Sequence, residues 1–386
     1  MAMVQLPLEP RLTSYLSAKA ASRNIPISGT FELTPVCNMA CRMCYVRMTA
    51  QEQQAIAPLK TPEQWLELAK TARDKGMLYL LLTGGEPFLL PWLPELLAGL
   101  QTLGLIVSIN SNGTIIDEKT IQWLKKSPPA RVNVTLYGAS DETYARLCGN
   151  PNGFTQAVRG ITLLRQAGIT VKINCSLTPE NAQDLEGIFR FAQENHLPVQ
   201  ATSYMFPPMR RDASMVGKNH RFTPEEAAYH AARIECSLLG QEEWLRRVER
   251  ESAAALPADG EDCSVTEGQG EGIRCRAGKS SFWVTWEGKM LPCGMIPMAE
   301  AKNVFTEGFA EAWEQASSHA RGIRLPAACA VCKEKDHCKA CAAMVYTESG
   351  DYQTVPQYRC RMNGAYPRAR QRLYHEIMKK TPGGTL

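Results

Sequence analysis

Histidine is scarce in this chain. Six residues, His196, His220, His230, His319, His337 and His375, are spread over 386 positions. None pairs with another at helical spacing, which excludes a metal site built on two histidines of one helix turn. His337, beside Cys338, reads as a surface residue. Excess charge is also lacking: 43 Lys and Arg face 39 Asp and Glu, a formal +4. So small an excess argues against a nucleic-acid partner, and the basic pair Arg210–Arg211 is too short to change that. The first two dozen residues have no uninterrupted apolar core of a signal peptide. The most apolar window, "FLLPWLPELLAGLQTLGLIVSI", is broken by two prolines, Glu95 and Gln101. It predicts a helix followed by a strand, not a membrane span, so a cytoplasmic protein without membrane partners is expected.

Against these absences stand fourteen cysteines. Disulfides are rare in the cytoplasm, so clustered thiols there point to metal or redox chemistry. Three of them lie in "TPVCNMACRMCYVRMT" as C-x3-C-x2-C, Cys37, Cys41 and Cys44. A structural zinc site needs four closed ligands, and no fourth Cys or His is near. Three soft ligands suit a four-iron cluster with one iron left open.

Between residues 29 and 239, six β-rich runs alternate with amphipathic segments. The runs are "GTFELT", "LYLLLTGG", "LIVSINSNG", "RVNVTLYG", "VKINCSLT" and "PVQATSYM". A helix is expected from Thr61 as N-cap and Pro62 at N1 to Gly76. Others are expected over 94–104, 118–126, 153–168 and 181–195. Strands alternating with helices predict an α/β fold with a mostly parallel sheet or partial barrel. In such folds functional groups collect at the C-terminal ends of the strands. The cysteine loop follows the first strand, and "LTGGEPF" ends the second. The segment 255–272 is rich in Gly, Asp and Glu and reads as a linker. Beyond it the alternation is lost, and a terminal helix is expected from Tyr366. Cys148, Cys175 and Cys236 read as core residues.

"CNMACRMC" followed one strand later by "GGEP" resembles the radical SAM superfamily. The resemblance covers about residues 29–239 and implies a partial (β/α)6 barrel. It also implies a [4Fe–4S] cluster on Cys37, Cys41 and Cys44, chelated at its open iron by S-adenosylmethionine (SAM). Reductive cleavage of SAM would give a 5′-deoxyadenosyl radical that abstracts a substrate hydrogen, with electrons from a donor such as flavodoxin or ferredoxin. The resemblance assigns Gly84, Gly85 and Glu86 to the SAM amino group and Met43 to the adenine. It places Ser111 and Thr135 near SAM. For the SAM carboxylate it leaves Lys172 and Arg146 open, because Cys148 stands where relatives carry an Arg.

The C-terminal part holds Cys275, then Gly288 and Cys293, then "CAVCKEKDHCKAC" with Cys329, Cys332, Cys338 and Cys341, then Cys360. A zinc ribbon on the four central thiols is one reading. The order also resembles the SPASM extension of radical SAM proteins, apart from two rather than three residues between Cys338 and Cys341. That resemblance implies two auxiliary iron–sulfur clusters. Cys275, Cys293 and Cys341 would bind the first, with Cys263 as a possible fourth ligand, and Cys329, Cys332, Cys338 and Cys360 the second.

The division expected is an N-terminal extension 1–28, a radical SAM core 29–240, a helix and linker 241–274, a SPASM domain 275–364 and a terminal helix 365–386. Substrates of SPASM relatives are commonly peptides, so maturation of a ribosomally made peptide is the leading expectation, by thioether, carbon–carbon crosslink or epimerisation. Met205, Arg210 and Arg211 of "YMFPPMRRD" are the expected substrate contacts. Only 36 residues precede Cys37, too few for a leader-binding domain, so either a separate protein or the barrel mouth is expected to recognise the leader. The alternatives are a sulfatase maturase, disfavoured by Gly294 where those relatives carry Asp, and a dehydrogenase acting on a small molecule.

Overall fold

The computed structural model describes residues 11–253 and 270–380. Six parallel strands are laid down in chain order: β1 (Ser28–Glu32), β2 (Tyr79–Thr83), β3 (Ile106–Ser111), β4 (Arg131–Thr135), β5 (Val171–Ser176) and β6 (Val199–Thr202). Each pairs with its sequence neighbour, with helices in the crossovers. Local signals set those helices. Thr61 caps helix Pro62–Asp74 through a reciprocal box with Gln64, Pro62 fills a position that needs no N–H donor, and Gly76 turns away at φ +108°. Trp65 on this helix is fully buried against Phe31 and Phe305, at ring distances of 5.0 and 5.2 Å.

The strands alternate in a way unusual for a parallel sheet, where both faces are normally apolar. On β4, Val132 and Val134 are buried under the helices, while Asn133 and Thr135 face inward. On β5, Val171, Ile173 and Cys175 are buried, while Lys172, Asn174 and Ser176 line a hollow. The inner face of the curved sheet is therefore polar.

The sheet does not stop at six strands. β7 (Ser281–Val284) joins the free edge of β1 in parallel, with Ser28 opposite Ser281, and β8 (Met290–Leu291) pairs antiparallel with β7. The sequence pattern gave no sign that the cysteine-rich region extends the first sheet. The last helix spans Gln357–Lys380, with Pro367 in its interior. It begins earlier than the expected 365 and carries Cys360 in its first turn. No helix among the described residues is long and apolar enough to cross a membrane.

Candidate active site

The loop after β1 carries Cys37, Cys41 and Cys44. Its backbone is fixed from behind by helix Asp141–Cys148: the Ala40 N–H donates to Cys148 O (2.8 Å) and the Arg42 N–H to Leu147 O (3.2 Å). The Cys37 sulfur accepts from the Met39 N–H (3.4 Å) and from Asn112 Nδ2 (3.7 Å), and Cys44 from the Arg47 N–H (3.3 Å). Burial pushes the Cys37 thiol up to about 12. Cys41 is raised chiefly by its contact with the Cys148 thiol, and Cys44 by burial. Such groups hold their protons at neutral pH and become thiolates when a cation takes the proton's place.

The glycine loop after β2 lies against this segment. The Gly85 N–H donates to Thr34 O (2.6 Å) and the Glu86 N–H to Val36 O (2.9 Å). A Cβ on Gly84 would sit 2.3 Å from Thr34 O, and one on Gly85 2.2 Å from Val36 O. Two backbones meet here at a distance only glycine permits. The expected close approach is thus made first to the cysteine loop itself.

Both loops open into a cavity of about 660 Å³ within the curved sheet, in the size range of small-molecule sites. Cys37, Cys41, Cys44, Gly84, Gly85, Ser111 and Thr135 line it at the C-terminal ends of the strands, and Lys172 lines it toward the N-terminal end of β5. Sequence reading missed Tyr45, Arg47, Asn110, Arg131, Asn133, Tyr137, Asn174, Gln200 and Thr202, which share it. Their signal was present: polar residues at every second position of β3 to β6.

Three expected SAM contacts stand elsewhere. Met43 is buried in the main core, and the cavity takes Met39 and Tyr45 instead. Arg146 bonds Glu180 O (2.8 Å) and pairs with Glu142, outside the cavity lining. Glu86 is fully buried, and its carboxylate accepts from Ser111 Oγ (2.9 Å), the Asn112 N–H (2.7 Å) and the Phe88 N–H (3.1 Å). It ties the glycine loop to the end of β3. Desolvation raises it to about 7 in spite of these three donors. Glu86→Gln turns an NH2 toward at least one backbone N–H and is expected to cost about 1–3 kcal/mol at pH 8. A carboxyl that titrates near 7 when folded, rather than at an ordinary 4.5, binds more protons in the native state between those values. Metal-free wild type should therefore gain stability from this group as pH falls from 7 toward 4.5, and the variant should lack that gain. Urea unfolding at pH 5.5 and 8 checks both.

The expected substrate loop is a strap. Arg210 forms bidentate bonds (2.9–3.1 Å) to Glu32, the fully buried last residue of β1, and its Nη1 also donates to Gly294 O (3.1 Å). Trp283 Nε1 completes the Glu32 shell (3.1 Å). Met205 packs on the core, and its carbonyl accepts from Arg221 (3.2 Å). Neither Met205 nor Arg210 lines the cavity, and Arg211 is solvent-exposed. Gly294 lies on the Trp283 indole, where a Cβ would come within 2.8 Å of the ring. An aspartate at 294 is therefore excluded sterically as well as by identity.

In the second cysteine field, the Cys275 and Cys341 charges both act on the Cys293 thiol, which burial pushes up to about 11. Cys341 likewise feels Cys275. Cys293 and Cys341 pack beside Ile273, Ile296 and Ala342, and Cys275 is exposed. Cys341 is the N-cap of helix Ala342–Ser349, where the Ala343 and Met344 N–H groups offset part of the rise that burial gives its thiol. Cys329 ends a tight turn on Pro326 O, and Cys338 one on Glu334 O. Arg274 lies near Cys338, and Asn363 of the last helix reaches Glu334 (3.4 Å). Among the described residues no three His, Cys, Asp or Glu converge on one point as around a single ion. A four-iron cluster instead distributes its thiolates over separate irons. Cys263 lies outside the described residues. Cys148 and Cys175 are buried, and Cys236 packs partly against Trp244 and Val248.

Residues 31–192 match the model of the Radical SAM superfamily. Over 88% of this chain and 97% of that protein, the sequence is 27% identical to the AdoMet-dependent heme synthase of Methanosarcina barkeri. Identity to the PqqA peptide cyclase of Xanthomonas axonopodis pv. citri is 26%, over 54% of this chain and 56% of that protein. Among solved structures, Streptococcus suis SuiB bound to precursor peptide SuiA superposes with a TM-score of 0.64, covering 90% of this chain and 80% of that one. Its identity of 15% makes this a likeness of fold.

Proposed function

Because the chain belongs to the radical SAM superfamily, whose enzymes use a [4Fe–4S] cluster and SAM, we propose that it abstracts a hydrogen from a ribosomally made peptide. The observation carrying the radical chemistry is the convergence of three thiols and the Gly84–Gly85 loop on one cavity. Cys37, Cys41 and Cys44 would hold the cluster, and the open iron with SAM supplies, when bound, the 5′-deoxyadenosyl radical. Thr135 would offer a hydroxyl at the end of β4 to SAM, and Ser111, whose Oγ–H is given to Glu86, would serve as an acceptor. Tyr137 and Tyr45, both lining residues, would limit water near the thiols. In the C-terminal field, Cys275, Cys293 and Cys341 would hold one auxiliary cluster and Cys329, Cys332, Cys338 and Cys360 another. A peptide substrate is supported by the whole-chain likeness of fold to SuiB, whose structure holds one. The same proposal includes a cytoplasmic location, a flavodoxin- or ferredoxin-type donor and a separate leader-binding protein.

One observation favours a second reading. The match to the heme synthase spans nearly the whole of that protein, while the peptide cyclase match spans about half of it. A tetrapyrrole is therefore the competing substrate. A sulfatase-type substrate is disfavoured by Gly294 and the indole beneath it.

Replacing Cys37, Cys41 and Cys44 by alanine is expected to remove one cluster and all 5′-deoxyadenosine formation under dithionite. A variant that still cleaves SAM would overturn the cluster assignment. Co-expression with a short peptide encoded beside the gene, followed by mass spectrometry, tests the substrate. A loss of about two mass units fits a crosslink or thioether, and an altered stereocentre at constant mass fits epimerisation. Turnover of an iron tetrapyrrole with no change in any neighbouring peptide would decide for the second reading.

A further inference from the structure

The cavity has an uneven charge. Its lining contains Arg47, Arg131 and Lys172 and no Asp or Glu. Arg131 and Lys172 lie together, well away from the thiols. Arg131 is the first residue of β4, level with Ser108 on β3. Lys172 is the second residue of β5, level with Asn133, which is level in turn with Asn110. Ser176 at the rim is four residues farther along β5, about 13 Å at the usual rise per residue. The two cations thus occupy the end of the hollow at the strands' N-termini, opposite the thiols.

Their partners are few. Lys172 Nζ donates to Gln200 Oε1 (2.7 Å), a neutral acceptor. Arg131 Nε is buried with no hydrogen-bond partner, and so is Asn133 Oδ1, whose amide nitrogen donates to Asn110 Oδ1 (2.8 Å). Among the described residues no carboxylate pairs with either cation. Loss of solvent, and then the Arg131 charge, bring Lys172 down to about 8. Two like charges held together in a partly dry, acid-free hollow cost stability unless something neutralises them.

We propose that the N-terminal end of the barrel strands, where Arg131 and Lys172 lie with Asn110, Asn133 and Gln200 around them, binds a small dianionic oxyanion, a phosphoryl or dicarboxylate group. The guanidinium supplies a forked donor pair and the ammonium a point charge, the combination such groups select. The side-chain NH2 groups of Asn110 and Gln200 supply neutral donors, while Asn133 Nδ2 is held by Asn110 Oδ1 (2.8 Å). The site is separate from the thiol loop and does not depend on which substrate the enzyme modifies.

The test uses the anaerobically reconstituted protein. Thermal unfolding is followed in inorganic phosphate, in succinate and in sodium chloride at equal ionic strength. At tenfold excess over Kd, phosphate or succinate is expected to raise Tm by about 1–2 °C over chloride. Response to phosphate alone identifies a phosphoryl group, and response to succinate alone a dicarboxylate. Arg131→Gln and Lys172→Gln should each raise Tm in chloride, by removing the like-charge contact, and each should abolish the gain from the anion. Arg211→Gln, an exposed cation outside the cavity, should keep the gain. Absence of any gain in wild type overturns the proposal, as does a gain that survives both cavity substitutions. Saturating SAM should leave the gain in place. If SAM removes it, the two cations serve the SAM carboxylate and the separate site is disproved.

Discussion

Gly85→Ala should leave every cysteine in place and still lose the cluster. The added methyl would lie 2.2 Å from Val36 O, 2.6 Å from Val36 C and 2.7 Å from Pro35 O. All three are backbone atoms, so no side-chain rotation relieves the contact, and the segment leading into Cys37 must move. The displacement also opens the Gly85 N–H bond to Thr34 O. A shift of about 1 Å at a positioning element commonly costs about 100-fold in rate. Here it acts on ligand geometry as well, so 5′-deoxyadenosine formation is expected to fall by at least about that factor. Bound iron should fall by the content of one cluster, about four per chain. Iron counting and product chromatography on the reconstituted variant check both. Wild-type iron with wild-type turnover would mean that the two loops can separate freely.

The second large effect is expected at Arg210. Glu32 has no exposed surface, and its other donor is one neutral indole N–H. Arg210→Ala would strand a buried carboxylate, a change that typically costs about 3–5 kcal/mol. Gly294 O, next to Cys293, would lose its donor in the same step. Arg210→Met combined with Glu32→Gln removes both charges and should recover most of the loss, since the penalty arises from the unpaired ion more than from the missing bridge. Urea unfolding of the single and double variants is the measurement. A single variant as stable as wild type would show that water reaches Glu32.

What was legible in the sequence was local. The six strands, the Thr61 cap, the cysteine loop and the glycine loop each depend on residues within one turn or one strand of each other. The alternation in "VKINCS" and "RVNVT" carried more than was taken from it, since a polar residue at every second position of a parallel strand marks a face that meets no helix. What was not legible depends on distant partners. Nothing near Arg210 announces Glu32, 178 positions away, so a basic loop residue looked free for substrate. Nothing near Glu86 announces the hydroxyl of Ser111 and the N–H of Asn112 that hold its buried carboxylate. Met43 occupies the position before the third cysteine, yet the backbone of its loop directs it into the core. The early start of the last helix was hidden by Pro367, which usually ends a helix pattern and here is carried inside one.

The pairing of β1 with β7 imposes an order on biosynthesis. Ser28 leaves the ribosome about 250 residues before Ser281, its partner. At ordinary elongation rates that is roughly 10–50 s, during which the barrel can close on β2 while the other edge of β1 stays unpaired. An open parallel edge is a template for a second nascent chain. Glu32, on the same strand, also waits for Trp283 before its shell is full. The first strand made is thus among the last to be completed. Yield in a foreign host would then depend on how long that edge is shielded, by a chaperone or by slow initiation that keeps nascent chains apart.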